Sequence, residues 1–253
     1  RDSSTSRGLG DVYKRQITNS ALMSDEQLIF QLNSRLNQTE NVADTIQYQM
    51  YAFEHSSPDQ VGTMQALTSM RSNISLYKST FDFFHIYVFL KPEQTGADEG
   101  IYFFSTDKLF NYGISESELH SIGSSSLWLL KKNTTLPRVI SASKRSANTL
   151  LCFRALQDKS SNVLEYAYCI ALDCDEFSRY LQTSASDTAI SSYILTPQGQ
   201  IAAHSDSSRN QTWISDSIKQ MFLENTNSFF KDNDIYYNLS LIHISEPTRR
   251  RGI

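Results

Sequence analysis

TLLCFRALQDKSSNVLEYAYCIALDCDEFSRYL, residues 149–181, is the stretch of sequence that decides the fold. Two apolar and aromatic runs, 149–157 and 163–172, flank the polar residues DKSS, and this pattern predicts a β-hairpin. Asp173 follows the second run directly and is a favourable helix N-cap residue, and apolar residues recur after it at helical spacing. We therefore predict two paired strands followed at once by a helix.

Further strands are predicted before this hairpin. FDFFHIYVFLK at 81–91 and IYFFSTD at 101–107 are aromatic and β-branched, with Pro and Gly between them, so we expect a hairpin or near-hairpin. A capping-box pattern begins a short helix at 115–122. Strand-like segments follow at 127–131 and 138–143. The first module therefore combines at least five strands with little helix.

Two helices precede the first strand. Ser24 and Gln27 have capping-box spacing, and apolar residues follow them three or four residues apart, which predicts a helix of about thirty residues over 24–55. Pro58 predicts the start of a second helix, with an apolar stripe that ends at Tyr77. Helices in globular proteins average about 11–12 residues, so we expect the first one to extend past the body of the fold as a stalk.

A second, smaller module is predicted after the polar segment SASDTAISS at 184–192. Pro197 and Gly199 suit a type I turn between two short strands, YILT and QIAAHS. A helix over about 212–224 and a strand at 234–238 are expected to follow. The module is incomplete because its last strand runs directly into a segment of different character.

The two ends of the chain differ in pattern from the rest. RDSSTSRGLGDVYKRQ at 1–16 shows neither helical nor strand periodicity. This string and SLIHISEPTRR at 240–250 resemble translated library-adapter sequence found at the edges of unrelated reading frames. The alternative is a natural disordered tail. We expect 1–16 and 239–253 to be artefactual tails that pack poorly on the core, even though the apolar residues 241–244 favour a false strand.

The composition describes a globular, acidic chain. Its 253 residues are 40% apolar and 11% aromatic, which is enough to bury a sizeable core. Lys and Arg number 23 against 27 Asp and Glu, so a basic surface for nucleic acid is not expected. The longest apolar run, 83–90, is far shorter than the roughly 18 residues that span a bilayer. No Gly-rich phosphate-binding motif occurs, which disfavours nucleotide chemistry.

The sequence carries no motif for a metal, a cofactor or catalysis. Outside the C-terminal tail the histidines are His55, His85, His120 and His204, and none has the H-x-x-x-H spacing of a helical metal site. We expect no metal and no cofactor. Motifs for a nucleophilic Ser or Cys and for paired carboxylates are also missing, although a triad of sequence-distant residues would leave no motif. An enzyme is therefore unsupported.

The three cysteines are Cys152, Cys169 and Cys174. A hairpin centred between residues 160 and 161 places Cys152 opposite Cys169. A disulfide there requires good pair geometry and an oxidising compartment, and the alternative is two small buried hydrophobic side chains. We favour free cysteines, because an odd thiol remains.

The order of these segments resembles the double Cache sensor domain of bacterial transmembrane receptors, above all the extracytoplasmic domains of sensor histidine kinases of Gram-positive bacteria. The similarity covers about residues 20–238. The segments that carry it are ALMSDEQLIFQLNSRLNQTENVADTIQYQMY, FHIYVFL, GIYFFSTD, YCIALDCDEFSRYL and SSYILTPQGQIAAHSD. The resemblance implies an α+β fold: a long N-terminal stalk helix and two PAS-like modules with antiparallel sheets. The membrane-distal module would occupy 17–183 and a truncated membrane-proximal module 184–238.

The resemblance also implies a function. Such domains lie outside the cell between two membrane helices, bind a small ligand and signal to a cytoplasmic kinase. We expect a ligand-sensing input domain at the cell membrane, anchored by flanking helices that are missing from this stretch and paired as a homodimer through the stalk helix. The alternatives are a secreted or lipid-anchored solute-binding protein and an extracytoplasmic enzyme. A cytoplasmic PAS-type domain fits less well, because the first helix is long and a second module follows.

Five residues are candidates for ligand contact. Aromatic residues alternate along the predicted sheet, and one face of a PAS-like half-barrel closes on a pocket, which favours Trp128, Tyr166 and Tyr168. Arg154 is the charged candidate. Asp173, at the strand-to-helix junction, matches a position that often closes the pocket in the resembled family. The first module is the expected place for the pocket, since the second lacks strands.

Each candidate also has a purely structural interpretation. The aromatic side chains are then core residues, Arg154 pairs with Glu165 across the hairpin, and Asp173 is a plain N-cap. The amino-acid-binding subgroup of the family places Arg two residues before a Trp, whereas Ser126 stands two residues before Trp128. This departure argues against a free amino acid as the ligand.

The stalk helix is expected to signal through its apolar stripe. In a monomer the part near Leu28 to Leu36 would have few partners, and an exposed apolar strip on a membrane-tethered helix is typical of a dimer seam. A ligand shifts signalling only if it binds two dimer arrangements with different affinities. We therefore predict that Leu32 and Leu36 contact a second copy of the chain.

Overall fold

The computed structural model describes residues 3–55, 60–81, 83, 85–95, 103–120, 126–132, 136–137, 148–158, 161, 163–184, 192–196, 199–224, 229–232 and 235–238. For 3–26, 28–29, 60, 120, 183–184 and 221–238 only the backbone is described. Helices α1 to α6 are Ser3–Glu54, Gln60–Phe81, Pro92–Thr95, Glu116–His120, Cys174–Ser184 and Asp216–Glu224. Strands β1 to β9 are His85–Leu90, Phe103–Ser105, Leu127–Lys132, Asn148–Gln157, Leu164–Asp173, Tyr193–Leu195, Ile201–His204, Phe229–Asp232 and Ile235–Asn238. Two 3₁₀ helices are Thr106–Tyr112 and Ser207–Arg209.

Five strands form the central sheet, in the order β2-β1-β5-β4-β3. The hairpin predicted from residues 149–172 is present, since β4 and β5 pair antiparallel. β3 pairs with β4 and β1 with β5, both antiparallel. The prediction of an antiparallel-rich α+β fold is therefore confirmed. The strand predicted at 138–143 lies outside the described residues.

The predicted hairpin between β1 and β2 is wrong. The two strands are parallel, with Val88 opposite Phe103 and Leu90 opposite Ser105. A parallel pair needs a crossover of about a dozen residues or more, and the connection 91–102 has this length. Helix α3 begins this connection. Aromatic and β-branched residues suit parallel and antiparallel strands alike, so the composition of the two segments did not indicate their relative direction. The length of the connection between them was the informative signal.

The predicted register of the β4–β5 hairpin is off by one residue. Cys169 lies opposite Phe153, and Cys152 lies opposite Ile170. Because side chains alternate along a strand, this shift places the two cysteines on opposite faces of the sheet. The pairing of β4 with β5 shifts register between Leu156 and Gln157, next to the turn. The predicted register assumed a symmetric turn without this shift. Cys152, Cys169 and Cys174 are free and buried, in agreement with the favoured interpretation.

The two faces of the sheet pack against different partners. We call the side that carries Val88, Cys152 and Tyr168 the helix face, because α1, α2 and α5 cover it. We call the opposite side, with Tyr87 and Phe153, the far face. Short elements cover the far face, including the 3₁₀ helix Thr106–Tyr112 and α4. The sheet is therefore buried between a helical layer and a layer of short segments.

Helix α1 is longer than predicted. It comprises 52 residues and begins at Ser3, not near residue 24. No Pro occurs before Pro58, so nothing in the segment removes a helical hydrogen bond, and Ser24 and Gln27 lie inside the helix. The artefactual origin of residues 1–16 stays a prediction, and the packing predicted for 241–244 falls outside the described residues.

The predicted dimer seam on α1 is wrong for Leu32 and Leu36. These side chains are only 4% and 7% exposed within one chain, because they pack in the core of the helix face. Ala43, Ile46 and Met50 continue the same stripe and are fully buried. The apolar stripe of α1 therefore attaches the helix to its own sheet.

The segment predicted as a second module contains two small antiparallel hairpins in its described part, and its separation as a module stays a prediction. β6 pairs with β7 through a turn in which the Gly199 N–H donates to the Thr196 carbonyl at 2.9 Å. Gly199 has φ of +89°, a conformation that favours glycine. Helix α6 begins four residues later than predicted, because Trp213 still pairs with Gln200 in a β-bridge. Strand β8, which pairs with β9, was not predicted.

Candidate functional site

Arg154 lies at the centre of a polar cluster between the helix face and α1. Its side chain is buried, with 6% exposed. One terminal nitrogen donates to Glu40 Oε2 at 2.7 Å, and the other donates to Asp44 Oδ1 at 2.7 Å and Gln47 Oε1 at 2.6 Å. Its Nε donates to the Ser126 hydroxyl at 2.7 Å. We call these five residues the Arg154 cluster.

Glu40 receives further hydrogen bonds from β3 and the residue before it. The Ser126 hydroxyl donates to Glu40 Oε2 at 2.6 Å, and Trp128 Nε1 donates to Glu40 Oε1 at 3.0 Å. Glu40 is 8% exposed, so burial strengthens the attraction to Arg154. The alternative pairing of Arg154 with Glu165 is wrong, because Glu165 forms an ion pair with Lys91. The cluster thus joins β3 and β4 to α1.

The two predicted tyrosines also lie on the helix face. The Tyr168 hydroxyl donates to the Ala43 carbonyl of α1 at 2.8 Å, and the Tyr166 ring stacks on Tyr168 with centroids 6.4 Å apart. Burial, with a smaller effect of Glu54, raises the pKa of Tyr166 to about 12. Burial also raises the pKa of Tyr168. Both hydroxyls are therefore neutral at neutral pH, and that of Tyr168 donates the hydrogen bond to α1.

The structure thus brings four of the five predicted site residues together. Trp128, Arg154 and Tyr168 donate hydrogen bonds to α1, and Tyr166 packs beside them. Contact of these four residues with a ligand stays a prediction. Asp173 lies apart from them, since strand alternation places it on the far face with Ala171 and Cys169.

Polar groups gather around Asp173 at one end of the far face. Asp173 is opposite Thr149 on β4, and Thr149 is opposite Lys131 on β3. His85 on β1 is opposite Ala171, which makes it the diagonal neighbour of Asp173. Opposite side chains lie about 5 Å apart and diagonal ones about 7–8 Å, so Thr149 and His85 are neighbours of Asp173 and Lys131 lies one strand beyond Thr149.

Two of these groups have unused hydrogen-bonding capacity. The Thr149 hydroxyl and His85 Nδ1 are buried atoms without a hydrogen-bond partner among the described residues. Thr149 is only 1% exposed. Unpaired buried polar groups are uncommon in folded proteins, and a bound ligand is one way in which they become paired. Asp173 uses one oxygen, Oδ1, to accept from the Asp175 N–H at 2.8 Å, which confirms its role as N-cap of α5.

The charge of His85 follows from its surroundings. Burial, with a smaller repulsion from Lys78, lowers the pKa of His85 to about 4. The imidazole is therefore neutral at neutral pH. Its ring contacts Tyr87 edge-on with centroids 4.5 Å apart, which orients it on the far face. A neutral imidazole accepts or donates a hydrogen bond without adding charge.

Lys131 forms the other side of the region, where α4 holds it. Its Nζ donates to Glu118 Oε1 at 2.8 Å and to the Gly113 carbonyl at 2.6 Å. Ser115 and Glu118 form the predicted capping box, with the Ser115 N–H donating to Glu118 Oε2 at 2.8 Å. Burial acts to raise the pKa of Glu118, but the hydrogen bonds from Lys131 and Ser115 outweigh it and hold this pKa below its usual range.

The floor of this region is apolar. Leu129, Leu151 and Phe153 are buried there. The Tyr87 hydroxyl donates to the Pro137 carbonyl at 3.4 Å, which attaches a connecting segment to the far face. An apolar floor with a few convergent polar groups is the general form of a small-molecule site. We refer to Asp173, Thr149, His85 and Lys131 with this floor as the far-face site.

Sequence reasoning found only one member of the far-face site. Thr149, His85 and Lys131 carry no motif and were not proposed. Alternation along β4 and β5 was the signal that would have revealed Thr149, since the correct register places it opposite Asp173. In the described part of the chain, no group of three His, Cys, Asp or Glu side chains is arranged to hold a metal ion. No helix there has the length and apolarity to cross a membrane.

Comparison with known proteins identifies the fold but no family. No family model and no curated protein matches the chain. The chain is similar to the ligand-binding domain of the Campylobacter jejuni chemoreceptor Tlp3 in complex with L-norvaline, with a TM-score of 0.50 and 11% identity over 92% of this chain and 89% of that one.

Two other solved structures are similar to the chain at lower scores. The sensory domain of Tlp3 with isoleucine bound has a TM-score of 0.46 and 10% identity, over 93% of this chain and 91% of that one. An extracellular ligand binding receptor from Desulfohalobium retbaense has a TM-score of 0.40 and 10% identity, over 81% of this chain and 36% of that one. The similarity to the Tlp3 domain in complex with L-norvaline confirms the α+β fold.

Proposed function

We propose that this chain is the ligand-sensing input domain of a transmembrane receptor, placed on the extracytoplasmic side of the membrane. The far-face site carries this proposal, because buried polar atoms without partners in the described part of the chain surround Asp173 above an apolar floor. The fold shared with a chemoreceptor ligand-binding domain supports it. The receptor is a two-component sensor histidine kinase, attached through segments that flank this stretch and active as a pair of chains.

The chemistry of the far-face site favours a small amine as the ligand. Asp173 accepts hydrogen bonds and attracts a cation, and Thr149 and His85 add neutral hydrogen-bonding groups. Lys131 already pairs with Glu118, so a ligand carboxylate has no free cation among the described residues of the site. The Tlp3 domain binds L-norvaline. This chain, which has Ser126 in place of the arginine of the amino-acid-binding motif, prefers an amine that lacks the carboxylate.

The Arg154 cluster completes the proposal by joining the sheet to the stalk. A ligand that contacts Asp173 and Thr149 shifts β4 and β5, and Arg154 on β4 passes that shift to Glu40 and Asp44 on α1. A ligand moves the equilibrium between two stalk positions only by the difference in its binding free energy for the two positions. Trp128, Tyr166 and Tyr168 act in the same attachment.

Isothermal titration calorimetry with ethanolamine, n-butylamine and L-valine tests the ligand site. We expect an amine to bind more tightly than L-valine, and Asp173→Asn and Thr149→Val to weaken that binding about tenfold or more. Trp213→Ala is the control, because this residue is 63% exposed in the second module. Equal binding of all three compounds, or loss only in the control, would contradict the proposal.

A chimaeric receptor tests the signalling part. The chain is fused to a histidine kinase, and amine-dependent autophosphorylation is measured. Arg154→Met is expected to abolish the response while amine affinity of the domain changes less than about fivefold. Parallel loss of affinity and response would place Arg154 in the ligand site, as the sequence prediction has it.

A further inference from the structure

A groove of about 750 Å³ lies between α1 and α2, away from the far-face site. Its walls are amide and hydroxyl side chains of α1 and aromatic side chains of both helices. The lining residues are Phe30, Asn33, Ser34, Asn37, Gln38, Asn41, Val42, Thr45, Tyr77 and Phe81. Val42 is buried at its base. None of these side chains carries a formal charge at neutral pH, which disfavours a phosphate, a carboxylate or a cation as the occupant.

The amides form a regular ladder on α1. Asn33, Asn37 and Asn41 recur every four residues, so they lie on one face at steps of about 6 Å. Asn33 Oδ1 and Asn37 Oδ1 are buried atoms that accept no hydrogen bond from the described residues. Two buried acceptors one helical turn apart favour an occupant that brings two donors.

The aromatic wall is held in place by contacts between the helices. Arg35 donates to the Phe81 carbonyl at the end of α2, and its guanidinium lies over the Phe83 ring, 5.1 Å from the centroid. Gln49 Nε2 donates to the Tyr77 hydroxyl at 3.1 Å. On the opposite side Phe30 is 75% exposed, although large apolar side chains are usually covered. The groove therefore has a fixed wall and an exposed ring at its mouth.

We propose that this groove binds a neutral saccharide. Each sugar hydroxyl donates and accepts hydrogen bonds, and each asparagine amide does the same. The three asparagines of the ladder therefore form hydrogen bonds with a row of sugar hydroxyls. A donor from the sugar pairs each of Asn33 Oδ1 and Asn37 Oδ1. The apolar face of a pyranose ring covers Phe30. The site is separate from the proposed amine site and gives the receptor a second input on its stalk.

The test uses cellobiose, maltose and N,N′-diacetylchitobiose with the whole chain, monitored by calorimetry. At least one disaccharide is expected to bind. Asn33→Ala and Asn37→Ala are each expected to weaken that binding about tenfold, since each removes a hydrogen-bond pair. Asn73→Ala is the matched control: Asn73 is a half-exposed asparagine on α2 that does not line the groove, and affinity should stay unchanged.

A second pair of variants keeps the test valid if the asparagine variants misfold. Phe30 and Tyr48 are both 75% exposed on α1, and only Phe30 lines the groove. Phe30→Ala is expected to weaken saccharide binding at least tenfold, and Tyr48→Ala to leave it unchanged. Equal effects of the two variants would overturn the proposal, as would the failure of all three disaccharides to bind.

Two further measurements distinguish a sugar in this groove from a sugar on the far face and from a second copy of the chain. Asp173→Asn should leave saccharide binding intact, and loss of binding in this variant would place the sugar on the far face instead. Analytical ultracentrifugation of wild type and Phe30→Ala examines a second copy as the occupant. A dimer that dissociates on Phe30→Ala would overturn the saccharide proposal, whereas an unchanged sedimentation coefficient supports it.

Discussion

The two faces of the central sheet differ in whether their buried polar groups are hydrogen-bonded. On the helix face, Arg154 has acceptors from three side chains of α1 and from Ser126. On the far face, the Thr149 hydroxyl and His85 Nδ1 have no partner in the described part of the chain. A satisfied network holds two elements in one arrangement, whereas unsatisfied groups retain their capacity for a ligand. The polar groups of the helix face attach α1 to the sheet, and the far face is where we propose that the ligand binds.

The largest expected loss of stability comes from breaking the attachment of the sheet to α1 at Arg154. Arg154→Met leaves Glu40 buried without its cation, and breaking a buried ion pair from one side costs about 3–5 kcal/mol of unfolding free energy. Urea denaturation measures this loss. The control is Lys91→Met, whose partner Glu165 keeps 25% of its side chain exposed, and there the cost should stay below about 1 kcal/mol. Similar losses for both would show that the Arg154 cluster is not a specific attachment.

The second effect is a pH dependence that comes from the far face. The pKa of His85 is about 4 in the folded chain and about 6.5 when unfolded, so the unfolded state binds more protons between these values. The contribution of the neutral His85 to the free energy of unfolding is therefore fully present above pH 6.5. It is lost as the pH falls toward 4 and amounts to about 3 kcal/mol.

Denaturation at several pH values, in wild type and His85→Leu, isolates this contribution. The variant should lose less stability between pH 6.5 and 4 than wild type does. His55→Leu, which changes an exposed histidine immediately after α1, is the control for substitution of a histidine. If wild type and His85→Leu have parallel curves, His85 is not a buried neutral imidazole.

A smaller effect is expected from the tyrosine attachment on the helix face. Tyr168→Phe removes the hydrogen bond to the Ala43 carbonyl and should cost about 1 kcal/mol. Tyr166→Phe keeps the ring stack and removes no hydrogen bond to the described part of α1, so it serves as the control. Amide hydrogen exchange near residue 43 should accelerate in the first variant only. Acceleration in both variants would contradict a specific role for Tyr168.

The smallest expected effect is a gain in stability, whereas the variants of Arg154 and Tyr168 lose stability. Thr149→Val replaces a buried, unpaired hydroxyl with a methyl group of similar volume, and this should stabilise the chain by about 0.5–1 kcal/mol while weakening the amine. Thermal unfolding with and without ethanolamine measures both effects. Asn148→Ala, on the neighbouring position of β4 that faces the helices, should not weaken the amine. A destabilised Thr149→Val variant would show that the hydroxyl already has a partner.

Several features followed from the sequence by itself. The β4–β5 hairpin joins strands that are adjacent in sequence. The N-cap at Asp173 and the capping box at Ser115 are local, because the residues that form them lie within a few positions of one another. The buried stripe of α1 from Leu36 to Phe53 followed from helical periodicity in the same way. The α+β class was therefore predictable, and so was most of the order of helices and strands, although helix α3 and strand β8 were not predicted.

Only the tertiary structure decided which residues meet. Arg154 and Glu40 are 114 positions apart, and no local pattern specifies that pairing. A shift of one residue in the β4–β5 register moved Cys152 and Cys169 to opposite faces and placed Thr149 beside Asp173. The packing of α1, α2 and α5 on one side then determined that Arg154 contacts α1, whereas Asp173 lies on the face that short elements cover. A side chain's partners depend on what covers its face of the sheet.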